Sequence, residues 1–180
     1  MRTMEDTVRA AVSAMEEAGV QYVVVGGIAT AAWGTVRTTM DVDVIVSLAE
    51  DEIEGFVSVL TKHGFRVNRD DIEAALEEKS HFTAMDPESG YHLDLKGSYS
   101  RHDASTLGRR REVLLDDLRV CVASPEDLLA MKLLMGSDRD LADAKAILIR
   151  QAGKLDMEYL EDLCRRLGVS DELRKIAEKI

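Results

Sequence analysis

Asp41 and Asp43 stand two residues apart in Met40-Asp-Val-Asp-Val-Ile-Val46. The alternation at the start of this run predicts a β-strand, in which residues i and i+2 share one face. The two carboxylates then stand side by side, while Val42 and Val44 point into the opposite core. Like charges a few ångströms apart repel and raise each other's pKa. A divalent cation relieves that cost, and hard oxygen ligands of this kind suit Mg²⁺ or Mn²⁺. Asp94, in Tyr91-His-Leu-Asp-Leu95, is a third acid in an alternating strand. If the two strands are neighbours, three carboxylates converge on one edge. Such a set can hold two metal ions about 3.5–4 Å apart, an arrangement used for in-line displacement at phosphorus. One ion would hold a triphosphate. The other would lower the pKa of an acceptor hydroxyl, with Asp94 placed to take its proton.

Gly26-Gly27 follows Gln21-Tyr-Val-Val-Val25, a β-branched apolar run of the kind that forms a buried strand. Glycine permits close backbone approach, and a following helix presents free N–H groups to an anion. The pair is therefore a candidate phosphate cradle. Each feature also has a plainer reading. Asp-x-Asp on a strand also occurs as two solvated acids at a sheet edge, and Gly26-Gly27 also reads as turn glycines. Arg37 either contacts a phosphate or braces a carboxylate. Lys132, on spacing alone, reads as a solvated helix lysine. Trp33 reads as core. His63, His81, His92 and His102 show no ligand spacing. His92 shares a strand face with Asp94 and reads as structural.

The elements that must position these residues follow from periodicity and punctuation. Residues 4–18 predict a helix closed by Gly19, and residues 21–25 a strand. Ile28 to Trp33 is helix-competent and ends at Gly34. Residues 40–46 form the second strand, and 49–63 a helix ended by Gly64. Residues 65–67 suggest a short edge strand, and 70–79 an acidic helix. Residues 81–85 and 91–95 flank Asp86-Pro-Glu-Ser-Gly90 and read as a hairpin. Residues 97–111 read as polar and irregular, ending in Arg109-Arg110-Arg111. That run is either solvated or meets a polyanionic acceptor or nucleotide phosphates. Residues 113–115 and 118–122 predict a further strand pair. Ser124-Pro125-Glu126-Asp127 is a strong helix start, and helices then fill 125–135, 137–150, 156–167 and 170–180.

The expected architecture is α/β (α+β): a small mixed sheet with helices, followed by a C-terminal helical bundle. Residues 1–122 would be the catalytic domain and 123–180 a helical region packed on it. The chain has 180 residues, 46% of them apolar and 32% charged, which excludes a largely disordered protein. No apolar stretch is long enough to span a membrane. Cys121 and Cys164 lie outside any metal or disulfide pattern. With acids rather than a signal pattern at the N-terminus, they point to the cytoplasm. The net charge of −11 argues against broad nucleic-acid binding.

The segment 22–46 resembles the signature of the nucleotidyltransferase superfamily related to DNA polymerase β. The matching residues are Gly26, Gly27, Ala29, Gly34, Arg37, Thr39, Asp41 and Asp43, with Asp94 as the later strand carboxylate. The pattern is most similar to small branches that include abortive-infection-type toxin and aminoglycoside and lincosamide nucleotidyltransferases. Ser124 to Lys132, with Arg139, Asp140 and Asp143, resembles a helical element that flanks the active site there. The resemblance implies a nucleotidyltransferase fold. It also implies transfer of a nucleoside monophosphate from a nucleoside triphosphate, ATP among the candidates, to a hydroxyl, with release of pyrophosphate. Asp41, Asp43 and Asp94 would bind Mg²⁺ or Mn²⁺, with Asp94 also a general base. Gly26, Gly27, Arg37 and Lys132 would hold the nucleotide phosphates. The acceptor stays open between a small molecule, tRNA and a protein. The rivals are a non-catalytic nucleotide- or partner-binding member of the fold, and a toxin-like enzyme controlled by an antitoxin-like partner.

Overall fold

The computed structural model describes residues 2–35 and 38–178. Helix α1 (Met4–Ala18) opens on a reciprocal cap between Thr3 and Asp6 and ends at Gly19 in the left-handed region. Strand β1 (Gln21–Val24) leads directly into α2 (Gly26–Trp33), and β2 (Asp41–Ser47) follows. A 3₁₀ turn over Glu50–Glu52 runs into α3 (Ile53–Lys62), and α4 (Arg69–Glu78) comes next. Strands β3 (His81–Met85) and β4 (His92–Gly97) form the expected hairpin. Helix α5 (Arg101–Arg109) precedes a second hairpin, β5 (Arg111–Leu115) and β6 (Leu118–Val122). Helices α6 (Pro125–Met135), α7 (Asp138–Arg150), α8 (Met157–Leu167) and α9 (Ser170–Ala177) complete the described chain.

The six strands form one mixed sheet in the order β3-β4-β2-β1-β6-β5. β2 runs antiparallel to β1 and parallel to β4, and β1 runs parallel to β6. The pairing of β2 with β4 was the condition for bringing the acids together. Its register sets Asp41 opposite His92 and Asp43 opposite Asp94. The alternation of β2 then does the rest: Val42, Val44 and Val46 are buried, while Asp41 and Asp43 reach solvent on the other face. Leu93 and Leu95 of β4 repeat this beside His92 and Asp94. Helices α6 to α9 pack on one another, and α6 and α7 also pack on α2. Burial of Leu128, Leu129, Leu133, Ile147, Leu160 and Leu163 cements that assembly.

Three local expectations need correction. Residues 97–111 are not irregular, because β4 runs to Gly97 and residues 101–109 form α5. Ser100 caps that helix and Asp103 reaches back to the cap backbone, a reciprocal box that the surrounding polarity concealed. Residues 65–67 make only a single bridge, Arg66 to Met85, because Gly64 and Asn68 leave no length for a strand. Gly26 and Gly27 do not precede α2; they are its first two residues.

Candidate active site

Three of the expected site residues reach one face through strand register alone. Asp41 and Asp43 come from β2 and Asp94 from β4. The hydroxyl of Thr39 donates to Asp41 Oδ1, and Thr83 Oγ1 on β3 donates to Asp94 Oδ1 at 2.9 Å. Both acids are thus aimed by a threonine. The donor atoms of Asp41, His92 and Asp94 all lie within 4.8 Å of one another. Asp43 stands outside that trio and turns toward the start of α2.

The contact of Asp43 with α2 explains the first of the two glycines. Gly26 has φ +58°, and a Cβ there would lie 1.7 Å from Asp43 Oδ2. Only glycine fits this close approach. The backbone N–H of Gly27 also faces this carboxylate and favours its ionised form. Burial, then the neighbouring charges of Asp41 and Asp94, push Asp43 above the ordinary carboxylate range. Gly27 and the Lys132 ammonium pull in the other direction.

Lys132 arrives from α6, far along the chain. It is buried, and its Nζ lies 2.9 Å from Asp140 Oδ1 and 3.1 Å from Asp143 Oδ2 on α7. A cavity of about 300 Å³ separates it from the sheet, lined by Gly26, Gly27, Asp41, Asp43, Lys132 and Arg139 among others. A larger cavity of about 1040 Å³ lies at the other end of β2, against Ser47, Arg69 and Tyr99. Chemistry rather than volume marks the smaller one, since two of the expected acids, Asp41 and Asp43, line it together with Lys132. Three carboxylates and an imidazole on one sheet face make a donor set that fits a divalent cation.

Arg37 falls outside the described residues. Trp33 is part of the frame: its Nε1–H donates to Ala123 O at 2.8 Å. The basic run is divided among separate tasks. The Arg109 guanidinium stacks 3.5 Å from the centre of the Tyr159 ring and faces Glu126 and Asp127. Arg110 donates to Leu107 O, and Arg111 opens β5. His92, expected to be structural, stands with Asp41 and Asp94 on this face. Its signal was present in the His-x-Asp alternation, but only the register with β2 sets it opposite Asp41. Thr39 entered only as part of the family signature, without its bond to Asp41, and Thr83 was not singled out because its partner follows from strand order.

The chain matches, over residues 6–175, the sequence model of a family described as "Nucleotidyltransferase of unknown function (DUF6036)". No curated protein matches it by sequence. Among solved structures it is similar to ANT(2'')-Ia in complex with adenylyl-2''-tobramycin. The TM-score is 0.63 at 15% identity, over 92% of this chain and 97% of that one. It is also similar to the lincosamide antibiotic adenylyltransferase LnuA with lincomycin bound, with TM-score 0.54 and 15% identity over 81% and 98%. A nucleotidyltransferase-like protein from Paracoccidioides brasiliensis gives TM-score 0.53 and 18% identity over 94% and 91%. At these identities the likeness establishes the fold.

Proposed function

Because the chain belongs to this family of nucleotidyltransferases, we propose that it moves a nucleoside monophosphate from a nucleoside triphosphate to a hydroxyl acceptor. The observation that carries the reading is the register of β2 on β4. It puts Asp41, Asp43 and Asp94 on one face, beside a cavity walled by Lys132. Asp41, Asp43 and Asp94 would hold a divalent cation, Mg²⁺ or Mn²⁺. That cation supplies charge neutralisation at phosphorus and a lowered acceptor pKa.

The remaining steps belong to the chain's own groups. The nucleotide phosphates enter the cavity between Asp43 and Lys132. Gly26 and Gly27 keep the backbone bare there, so that a phosphate can approach closely. The Lys132 ammonium, held in place by Asp140 and Asp143, faces the charge that builds on the leaving pyrophosphate. Arg37 is proposed as a second phosphate contact. The acceptor oxygen attacks the α-phosphorus, the bond to the bridging oxygen breaks, and pyrophosphate leaves with that electron pair. Asp94 takes the acceptor proton. Its Oδ1 is fixed by Thr83, and its side chain is a third exposed, which leaves it open to an entering hydroxyl.

The acceptor would approach over β3, where Met85 is exposed beside Asp94 and His92. With a protein charge of −11 and an acidic edge, a neutral or cationic hydroxyl compound suits this face better than a polyanion. Arg109, one of the three arginines expected as a patch for RNA, is engaged with Tyr159, Glu126 and Asp127 instead. The test supplies each labelled nucleoside triphosphate, a divalent ion and cell extract split into small-molecule and macromolecular fractions. Label should appear in a small hydroxyl compound with release of pyrophosphate. The Asp41→Asn, Asp43→Asn double variant should transfer none. Transfer retained in that variant overturns the catalytic assignment, and label carried into RNA or protein replaces the small acceptor with the toxin-like reading.

A further inference from the structure

The carboxylate face carries one donor that phosphate chemistry with Mg²⁺ does not call for. His92 stands opposite Asp41 in the β2–β4 register and two residues before Asp94, so the three side chains share a face. Thr83 occupies Asp94 Oδ1, and Asp94 Oδ2 faces His92 Nε2 at 3.5 Å. That separation is longer than the about 2.7–3.2 Å of an N–H···O hydrogen bond, so no hydrogen bond holds the pair closed. It is, however, a spacing that two ligands of one ion adopt: donors about 2.1 Å from a common ion lie about 3.0–4.2 Å apart. The third donor, from Asp41, lies within 4.8 Å of both, so a side-chain movement of Asp41 of about an ångström closes the set around one ion. The His92 and Asp94 side chains are 28% and 33% exposed, which leaves the trio open to an entering ion.

We propose that His92 is a ligand of the cation site through Nε2, and that Asp41, His92 and Asp94 together favour a transition divalent ion over Mg²⁺. His92 can play this part only if the carboxylates hold a divalent ion, as proposed above. The chemistry of the donors argues for the preference. Mg²⁺ is a hard ion that takes oxygen ligands and keeps several waters. Imidazole nitrogen binds first-row transition ions far better, with affinity rising from Mn²⁺ through Co²⁺. The threonine hydroxyls on Asp41 and Asp94 orient both acids, a support that metal sites generally need. Asp43, turned to Gly26 and Gly27, lines the phosphate cavity together with Asp41 and stays available to hold a cation beside the nucleotide phosphates, as proposed above.

The test reads the ion rather than turnover. Mn²⁺ is added to the full-length protein, with and without a non-hydrolysable nucleoside triphosphate, and pulsed EPR is recorded for nitrogen coupling. Affinities for Mn²⁺, Co²⁺ and Mg²⁺ are measured by calorimetry on wild type, His92→Gln and Asp41→Asn. The wild type should show the coupling of a directly bound imidazole, a readout that requires no variant to fold. His92→Gln should lose it, and its Mn²⁺ and Co²⁺ affinities should fall by about 10-fold or more. Its Mg²⁺ affinity should change by less than about threefold, as expected where waters complete the shell. Bound Mn²⁺ that Asp41→Asn abolishes, but that shows no nitrogen coupling, overturns the role of His92 alone. Equal losses of Mn²⁺ and Mg²⁺ in His92→Gln overturn the preference. A wild type that binds no divalent ion overturns the carboxylate site itself, and His92 with it.

Discussion

A Cβ on Gly26 would lie 1.7 Å from Asp43 Oδ2, so these two residues can occupy their places only while position 26 has no side chain. Gly26→Ala must move Asp43, the backbone, or both. The left-handed φ adds about 1–2 kcal/mol of strain for any L side chain. A displacement near 1 Å at a reacting centre costs roughly 100-fold in rate. We therefore expect Gly26→Ala to lose about 100-fold in nucleotide transfer and about 1–2 kcal/mol in stability. Steady-state turnover beside urea unfolding measures both. Unchanged turnover would show that Asp43 need not sit there.

Asp43 is a charge held where burial and two other acids oppose it. Its carboxyl is pushed up in the folded state, so its ionised form at neutral pH costs stability. Asp43→Asn should raise stability by about 1 kcal/mol in chelator-treated buffer, in the manner of other function-for-stability substitutions. The same variant should lose transfer. Thermal melts with and without added Mn²⁺ check the sign: the ion should stabilise the wild type more than the variant. A variant that melts lower than wild type in chelator contradicts the electrostatic account.

Lys132 joins α6 to α7 through two carboxylates, with side chains of Lys132 and Asp143 that are 9% and 7% exposed. Removing one member of a buried charge group leaves the others stranded. Lys132→Met should cost about 3 kcal/mol. Adding Asp140→Asn should recover part of that loss, whereas an independent lysine would give simple additivity. Urea unfolding of the two single variants and the double variant measures the coupling.

Asp103 gives the acid limb of stability a specific origin. Burial raises its pKa, but the Lys96 ammonium at 2.8 Å and the Ser100 cap outweigh it and hold the carboxyl below its ordinary value of 3.8. A depressed folded pKa contributes stability that is present above the unfolded value and is lost as pH falls through the folded one. Asp103→Asn should therefore be less stable than wild type at pH 7, by about 2 kcal/mol for a charge-assisted network. The gap should close as pH drops below about 3.8. Chemical denaturation from pH 7 down to pH 3 follows it.

Much of this site could be read from residue order, because strand alternation and strand sequence are local properties. Asp41, Asp43 and Asp94 announce a shared face by their own spacing. The turn at Asp86-Pro-Glu-Ser-Gly90 marks where β4 begins, though not its end at Gly97. What could not be read is register and approach. His92 meets Asp41 only when β4 slides beside β2 with the two opposite each other. Gly26 is understood only when Asp43 is seen against it. Helix α5 was hidden because its polar surface imitates a loop, although Ser100 and Asp103 carry the capping pattern. Arg109 looked like solvated charge, yet Tyr159, some fifty positions away, gives it a face to stack on.

The cavity has two walls of different descent. Asp41 and Asp43 come from the sheet, and Lys132 and Arg139 come from helices that begin more than eighty residues later. Substitutions along α6 and α7 can reshape the cationic wall without disturbing the strand that presents the acids. Drift in β2 or β4, by contrast, strikes the acids at once.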